Sequence, residues 1–426
     1  MAGEMSLPKQ ISDNFRAVAE SLQAVTPEWS WSVQLMSDYF GSVHEAQERG
    51  GVVGAINFGV PSEILWAMDI TPLLIDPIGG VAAAFPEGVA RYIDLAEQHI
   101  PYYVCANNKT FMGMLLSGDL RLPKFILHPS VPCDSNMATY PVMAEYFGCP
   151  YFCIDVPYLR NEAAFTYTVG ELRRLIAFLE EQTGRSLDID KFRQAMEYSN
   201  QAHEYMLKIA ELRQTVPCPY SSLDAISEYG LVLMLCGTPQ LVDYFRKKYQ
   251  VTAGKVARKE GYLPPGEEKL RLVWIYGAPA FDFTILLHLE RQYGALSVAF
   301  MNNNFVMRPI ADLSTLDQML MGLARKTVMM PMSRECGGVW ENYLEAQIDL
   351  LRRFKADAAI FGGHVACKSN WAMAKLVKDR IYDELGIPTL NFELDIFDPR
   401  VSSAEDIKHT LGRFLEGVPA RQSRAE

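Results

Sequence analysis

Eight short stretches of this 426-residue chain are continuously apolar, and segments with helical spacing separate them. Strands without polar alternation are buried on both faces, as in parallel sheets that helices cover on each side. Four stretches precede residue 158 and four begin at residue 270 or later: "GVVGAINFGVP", "PLLIDPIGG", "KFILHPSVP" and "YFCIDVP", then "LRLVWIYGAP", "ALSVAFMNN", "AAIFGGHV" and "PTLNFEL". The sequence therefore predicts an α/β fold with two related domains, each a parallel sheet flanked by helices.

The segment between the two sets of strands has a helical pattern. In "GELRRLIAFLEEQTG" and "DIDKFRQAMEYSNQAHEYMLKIAELR", apolar residues recur every three or four positions, and Asp188 or Asp190 is a candidate N-cap. We predict an N-terminal α/β domain with leading helices over residues 1–165, a helical insert over 166–265 and a C-terminal α/β domain over 266–426. The polar tail "PARQSRAE" is expected to fray.

Charge and hydropathy argue against several classes of protein. The formal net charge of −11 argues against a nucleic-acid partner, because phosphate binding needs clustered Lys and Arg. The N-terminal sequence lacks the pattern of a signal peptide, and no apolar run reaches the roughly 18 residues of a membrane helix. We therefore expect a cytoplasmic protein with no membrane partner, whose eight cysteines are reduced.

Three cysteines follow apolar runs and are candidate ligands. Cys133 in "KFILHPSVPCDS" and Cys367 in "DAAIFGGHVACKS" share an order of strand, histidine, short loop, cysteine and serine, and Cys105 also follows an apolar run. Open α/β sheets bind ligands at the carboxyl ends of their strands, and soft thiolates suit an iron–sulfur cluster. Because 28 and 234 residues separate the three, structural cysteines in two related domains are the alternative.

The other cysteines carry less signal. Cys153 lies within a predicted strand and Cys236 within an apolar helix, so both are interpreted as small buried apolar residues. Cys149 and Cys218 precede prolines in turns. The chain also lacks GxGxxG and GxxxxGK[ST] motifs, so any ATP hydrolysis that the reaction needs would belong to another protein.

Three segments resemble the 2-hydroxyacyl-CoA dehydratase and benzoyl-CoA reductase family. They are "VPSEILWAMDITP", "HPSVPCDS" and "GGHVACKSNWAMAKLVKDRIYDELGIPTLNFELDIFDPR". The resemblance implies subunits of shared fold, each holding a [4Fe-4S] cluster with three cysteines, which map to Cys105, Cys133 and Cys367. It also implies a fourth iron without a cysteine, at which one dehydratase subunit binds oxygen of the substrate.

The resemblance is strongest to the larger (alpha) subunits of the dehydratases, of the component D type. It implies a lyase, the iron–sulfur subunit of a heterodimeric (R)-2-hydroxyacyl-CoA dehydratase that forms a 2-enoyl-CoA through a ketyl radical. The implied partners are a homologous smaller subunit, an ATP-hydrolysing iron–sulfur activator that donates one electron, and the acyl-CoA substrate. The alternatives are a benzoyl-CoA-reductase-type subunit, a homodimeric double-cubane electron-transfer protein and a scaffold subunit without a cluster.

The resemblance also implies roles for several side chains near Cys367. Gly362 and Gly363 are expected to end a strand and admit the cluster close to the backbone. His364, Lys368 and Ser369 are candidates for hydrogen bonds to cluster sulfides or for compensating charge, with simple solvation of the loop as the alternative.

The early motif supplies the candidate catalytic residues. Glu63 is predicted to transfer a proton at the departing hydroxyl, with help from Ser62. The alternative for Glu63 is a carboxylate that the dipole of its helix favours at the N-terminus. Cys336 in "SRECGGVW" could be a fourth cluster ligand, but we interpret it as structural.

Overall fold

The computed structural model describes residues 6–76, 78–83 and 88–419. Two helices lead the chain, as predicted: α1 (Leu7–Leu22) and α2 (Pro27–Glu48). The tail that is expected to fray spans residues 419–426, of which 420–426 lie outside the described residues.

The first sheet contains four parallel strands, all predicted from the apolar runs. They are β1 (Val52–Ile56), β2 (Ile70–Leu74), β3 (Ile126–Pro129) and β4 (Tyr151–Ile154), in the order β2-β1-β3-β4. The strand order reverses between β1 and β3. Ligands of open α/β sheets bind at such a switch point, beyond the carboxyl ends of the strands.

The second sheet repeats this arrangement. Its parallel strands are β5 (Leu270–Tyr276), β6 (Ala295–Phe300), β7 (Ala358–His364) and β8 (Thr389–Leu394), in the order β6-β5-β7-β8. The strands β5, β6 and β7 are buried at every position, which is why their sequences are continuously apolar. The predicted α/β class with two related parallel sheets is confirmed.

Helices cover the sheets and connect them. In the first half they are α3 (Ser62–Ala67), α4 (Ile78–Ala83), α5 (Ala90–Ala96), α6 (Ala106–Ser117) and α7 (Asp134–Phe147). Between the sheets lie α8 (Glu162–Thr183), α9 (Ile189–Leu212), α10 (Ser222–Leu235) and α11 (Pro239–Ala257). Asp188 is the N-cap of α9, since its carboxylate accepts hydrogen bonds from the backbone N–H groups of Asp190 and Lys191.

The second half contains α12 (Thr284–Tyr293), a 3-10 turn (Met301–Asn303), α13 (Leu316–Met329), α14 (Ser333–Cys336), α15 (Trp340–Arg353), α16 (Lys368–Leu385) and α17 (Ala404–Glu416). The domain boundaries at residues 165 and 265 stay predictions. No helix in the described ranges has the length and apolar character needed to cross a membrane.

The two glycines of β7 have a different role from the expected one. The strand continues through Gly362 and Gly363 to His364, so the expectation that it ends at the glycines is wrong. A Cβ on Gly362 would lie 2.1 Å from the carbonyl oxygen of Gly277, and one on Gly363 would lie 2.1 Å from the ring of Trp371. The glycines therefore admit the loop after β5 and an indole ring.

Candidate functional site

Cys105, Cys133 and Cys367 are the N-cap residues of three helices, α6, α7 and α16. Cys133 comes after β3 and Cys367 comes after β7, as predicted, whereas Cys105 follows a turn instead of a strand. The free N–H groups and the dipole at a helix N-terminus favour negative charge. The helix N-terminus at each of these three positions therefore contributes a field that favours negative charge on sulfur.

Hydrogen bonds join the loops that carry these cysteines. The backbone N–H of Cys105 donates to Ser135 Oγ, in the first turn of α7, at 3.1 Å. His364, the last residue of β7, places its Nε2 3.2 Å from Cys105 Sγ. The carboxyl ends of both sheets therefore meet at one site.

The thiols also affect one another electrostatically. Burial raises the pKa of Cys133 to about 12, and the neighbouring Cys367 thiol acts in the same direction. Burial, and then the charges of Cys133 and Cys367 among others, raises the pKa of Cys105 well above its ordinary value. A positively charged ligand that replaced the thiol protons would remove this penalty.

The protonation of His364 suits a hydrogen bond to sulfur. Burial lowers the pKa of His364, so the ring is neutral. The backbone N–H of Ile396 points at Nδ1 from 3.3 Å, and the Asp395 carboxylate lies 3.5 Å from the same nitrogen. The hydrogen bond from Ile396 requires the tautomer with its proton on Nε2. His364 can therefore donate to the sulfur of Cys105.

Lys368 and Ser369 make different contacts from His364. Lys368 Nζ lies 5.2 Å from the ring centre of the exposed Tyr103, in a cation–π contact. Ser369 Oγ lies 3.8 Å from Cys367 Sγ. Roles for these two side chains toward a cluster stay predictions.

Three asparagines that the sequence analysis missed lie beneath the cysteines. Each cysteine is followed three residues later by an asparagine with at most 2% of its surface exposed: Asn108, Asn136 and Asn370. Asn370 Nδ2 lies 3.2 Å from Cys367 Sγ, and Asn108 Nδ2 donates to Asn136 Oδ1 at 3.0 Å. The repeated Cys-x-x-Asn spacing was the signal in the sequence that could have revealed them.

The donor set determines what the site can hold. Within the described ranges, no three His, Cys, Asp or Glu side chains are close enough to hold a single metal ion. Thiols that approach from three helix N-termini, with a neutral imidazole donor to one sulfur, fit a larger iron–sulfur group.

Glu63 lies in a separate buried polar cluster, on the first turn of α3. Ser199 Oγ donates to Glu63 Oε1 at 2.7 Å, and Lys326 forms an ion pair with the same oxygen. Burial opposes ionisation of this carboxyl, but the charge of Lys326 and its hydrogen bond lower the pKa of Glu63. Lys326 Nζ also lies 3.3 Å from Cys236 Sγ. Sequence reasoning gave no signal for Lys326.

Ser62 and Cys236 join α3 to the end of α10. Ser62 Oγ donates to the carbonyl oxygen of Cys236 at 3.0 Å. Cys236 is buried, as predicted, but it follows α10 as its C-cap instead of lying inside it. Cys153 is only half-buried, so the interpretation of this thiol as fully buried is wrong.

Buried polar atoms without a hydrogen-bond partner extend from Glu63 toward the thiols. Within the described part of the chain they include Glu63 Oε2, His203 Nε2 and the Tyr229 hydroxyl. The ring of Phe305 neighbours both other rings, with its centre 6.3 Å from that of His203 and 6.2 Å from that of Tyr229. Burial raises the pKa of Tyr229, with the charges of Asp76 and Cys336 next in effect. Because an unpaired buried polar group costs about 1–3 kcal/mol, these atoms require a polar partner, either a ligand or ordered water.

Comparisons with known proteins show which family this chain is similar to. Residues 57–418 match the family model described as "2-hydroxyglutaryl-CoA dehydratase, D-component". The chain is 23% identical over 309 residues to (R)-2-hydroxyglutaryl-CoA dehydratase, subunit alpha, of Acidaminococcus fermentans. The matched region covers 71% of this chain and 62% of the relative, so this chain spans less than two thirds of the relative's length. It is 23% identical over 372 residues to the (R)-phenyllactyl-CoA dehydratase alpha subunit of Clostridium sporogenes (84% and 87% covered). It is also 23% identical over 354 residues to one of the benzoyl-CoA reductase subunits of Thauera aromatica (76% and 78% covered).

Proposed function

This chain belongs to the 2-hydroxyglutaryl-CoA dehydratase D-component family, as its motifs predicted, and on that basis we propose that it is the iron–sulfur subunit of an (R)-2-hydroxyacyl-CoA dehydratase. The enzyme is a lyase that removes water from a 2-hydroxyacyl-CoA to give the 2-enoyl-CoA. It works with a homologous smaller subunit and an ATP-hydrolysing activator. The observation that carries the proposal is the convergence of Cys105, Cys133 and Cys367 from three helix N-termini.

These three cysteines would hold a [4Fe-4S] cluster. The helix N-termini would offset the negative charge of the thiolates, and His364 Nε2, 3.2 Å from the sulfur of Cys105, can donate to it. When bound, the cluster supplies one electron to the thioester.

The chemistry requires this electron because the thioester acidifies only the α position, whereas dehydration removes a β-proton. One electron added to the thioester carbonyl gives a ketyl radical anion, which expels the α-hydroxyl as hydroxide. The β-proton of the resulting radical is acidic and leaves. The product ketyl then returns the electron, so the net loss is one water.

The unpaired polar atoms complement such a substrate. His203 Nδ1 donates to the carbonyl oxygen of Ser199 at 2.8 Å, which leaves Nε2 as an acceptor, and Glu63 Oε2 is a second acceptor. Either atom can accept the single hydrogen bond that a substrate hydroxyl donates. The hydroxyl of Tyr229 can donate to the thioester carbonyl oxygen.

Glu63 and Lys326 would manage the proton at the departing hydroxyl. Lys326 is the acid that supplies it, and Glu63 orients the ammonium group and the substrate. Ser62 assists by holding the first turn of α3 against the end of α10.

Iron analysis tests the proposal. The protein, purified anaerobically with its partner subunit, is expected to contain about four iron and four sulfide per subunit. Replacing Cys105, Cys133 or Cys367 by Ala should remove the cluster from this subunit and abolish turnover of a 2-hydroxyacyl-CoA with activator and ATP. Cys153→Ala is the matched control. Full iron content in Cys367→Ala would contradict the assignment.

The similarity to a benzoyl-CoA reductase favours a second candidate, the reduction of an aromatic acyl-CoA. The same preparation, assayed with benzoyl-CoA and with a 2-hydroxyacyl-CoA, separates the two. Loss of benzoyl-CoA absorbance without enoyl-CoA formation would favour the reductase.

A further inference from the structure

A half-buried carboxyl group, that of Asp76, lies beyond the carboxyl end of β2, in the turn that follows Ile75. The loop after the neighbouring strand β1 provides one hydrogen-bond donor to each of its oxygens. Asn57 Nδ2 donates to Asp76 Oδ1 at 2.8 Å, and the backbone N–H of Phe58 donates to Oδ2 at 2.6 Å. Because a carboxylate oxygen has two lone pairs, each oxygen is held in place and can still accept a proton.

The turn that carries Asp76 is joined to the helix that begins after Cys105. The carbonyl oxygen of Ile75 accepts a hydrogen bond from Asn107 Nδ2 at 3.2 Å, and the backbone N–H of Gly79 donates to Asn107 Oδ1 at 3.0 Å. Asn107 is the second residue of α6, and Cys105 is the N-cap of that helix. Asp76 therefore lies at the same end of the first sheet as the thiols.

Asp76 is also close to one of the unpaired polar atoms of the proposed substrate site. The helix α10, which carries Tyr229, packs against β2. After burial, the charge of Asp76 has the largest effect on the pKa of Tyr229, whose hydroxyl has no partner among the described residues. This hydroxyl is the proposed donor to the thioester carbonyl oxygen. Since the β-carbon of the substrate is two bonds from the carbonyl carbon, a base near Tyr229 is near the β-proton.

The surroundings of Asp76 make it a stronger base than an ordinary carboxylate. Burial raises the pKa of Asp76 to about 8, against hydrogen bonds from Phe58 and Asn57 that lower it, and within the described part of the chain no cation adds to their effect. A shielded carboxylate that served structure alone would normally be paired with a cation. A stronger base removes a proton from carbon more readily.

We propose that Asp76 is the base that removes the β-proton of the substrate. The proposal rests on the proposed function, because the dehydration requires this proton to leave. The carboxylate takes the proton, so the C–H bond breaks and its electron pair stays in the product ketyl. Asp76 then releases the proton to water, and Lys326, which has protonated the departing hydroxyl, regains one from water. The net loss is still one water.

Dehydration of a substrate with deuterium on its β-carbon tests this inference. The wild-type complex and Asp76→Asn are each assayed with partner subunit, activator and ATP. The variant should retain its iron and lose turnover by about 10²–10⁴-fold, the usual contribution of acid–base catalysis. The ratio of its rates with unlabelled and deuterated substrate should exceed the wild-type ratio, because C–H cleavage becomes the slowest step. A carboxylate that only held the turn in place would leave this ratio unchanged.

Asp69→Asn is the matched control. Asp69 is an exposed carboxylate that directly precedes β2 and forms an ion pair with Lys191 at 2.7 Å. Its backbone has a positive φ of 55°, which asparagine also adopts. This variant should keep the turnover and the isotope effect of the wild type.

The possible results separate the role of Asp76 from the proposed function. Wild-type turnover in Asp76→Asn, or a wild-type isotope effect, overturns the role of Asp76 and leaves the proposed function standing. A wild-type complex that contains its iron but forms no enoyl-CoA overturns the proposed function itself. If Asp76→Asn loses iron, Asp76→Glu decides, since it keeps the carboxylate but moves it by one methylene. An isotope effect in Asp76→Glu no larger than that of the wild type then overturns the role.

Discussion

Asn370 Nδ2 lies 3.2 Å from the sulfur of Cys367. Cys367 is the N-cap of α16, and Asn370 is the third residue of that helix. The same spacing places Asn108 and Asn136 beneath Cys105 and Cys133. Asn136 Nδ2 donates to Asn57 Oδ1 at 2.7 Å, so Asn57, Asn108 and Asn136 form a buried hydrogen-bonded layer at the first turns of α6 and α7. Such layers orient ligands and donate to their sulfur atoms.

Replacing Asn370 should therefore change the reduction potential of the cluster. Hydrogen bonds to sulfur stabilise the reduced, more negative state, so we expect Asn370→Ala to lower the potential by an amount on the order of tens of millivolts. Potentiometric titration followed by electron paramagnetic resonance measures this shift. Asn200→Ala is the control, because Asn200 makes two comparable hydrogen bonds with Ile310. An unchanged potential in Asn370→Ala would show that its amide does not act on the cluster.

Gly363 should not tolerate a side chain. The Cβ of Gly363→Ala would lie 2.1 Å from Cζ2 of Trp371, and overpacking of this kind costs about 1–3 kcal/mol. Trp371 is in the first turn of α16, so its displacement should also reduce iron content through Cys367. Melting temperature and iron analysis measure both effects.

Gly170→Ala is the matched control. Gly170 lies inside α8, and nothing lies within 4 Å of the position of an added Cβ. This substitution should stabilise the protein by about 0.5–1 kcal/mol. If Gly363→Ala melted at the wild-type temperature, the packing explanation for Gly363 would fail.

All eight predicted runs form strands. For β5, β6 and β7 the reason is burial on both faces, which leaves a continuous apolar run, whereas β4 and β8 are partly exposed. The end of β7 was mispredicted at Gly362 and Gly363, since glycine punctuates many turns. Here the missing side chain of Gly362 admits Gly277, which is distant along the chain, and that of Gly363 admits Trp371 on the following helix.

The site was predictable only where its signal was local. Cys133 and Cys367 follow their strands closely, so the strands located them. Lys326 lies 263 residues from Glu63 along the chain, and no local pattern links them. The contact between Cys336 and Asn370 likewise depends on how α14 and α16 pack, and the interpretation of Cys336 as structural stays a prediction.

Acid should destabilise the fold through His203. Burial lowers the pKa of this ring to about 4, with the charge of Lys326 next in effect, whereas an unfolded histidine titrates near pH 6.5. Between these values the unfolded state binds the extra proton, so stability is full above about pH 6.5 and falls as pH decreases toward 4. The loss is about 1.4 kcal/mol per pH unit.

His203→Gln removes this contribution. Melting temperatures of the purified complex from pH 4.5 to 7.5 should fall less steeply in the variant than in the wild type. Burial also lowers the pKa of His128 to about 4, so this second ring preserves part of the dependence of melting temperature on pH. The exposed His99 supplies a control, His99→Gln, that keeps the wild-type slope. Parallel pH profiles for His203→Gln and wild type would contradict the assignment.

The role of Glu63 can be separated from its ion pair with Lys326. Glu63→Gln leaves a buried ammonium without its partner, which costs about 3–5 kcal/mol, while replacing both members by uncharged residues of similar size is close to neutral. If Glu63 acts on the departing hydroxyl, Glu63→Gln should retain iron and reduce turnover by about 10²–10⁴-fold. The double variant Glu63→Gln, Lys326→Met should then regain most of the melting temperature but none of the turnover. A purely structural carboxylate predicts that Glu63→Gln melts lower but turns over at the wild-type rate. The double variant tests the ion pair alone, because it also lacks Lys326, the proposed acid. Iron content, melting temperature and turnover measured on one preparation of each variant therefore decide the role of Glu63.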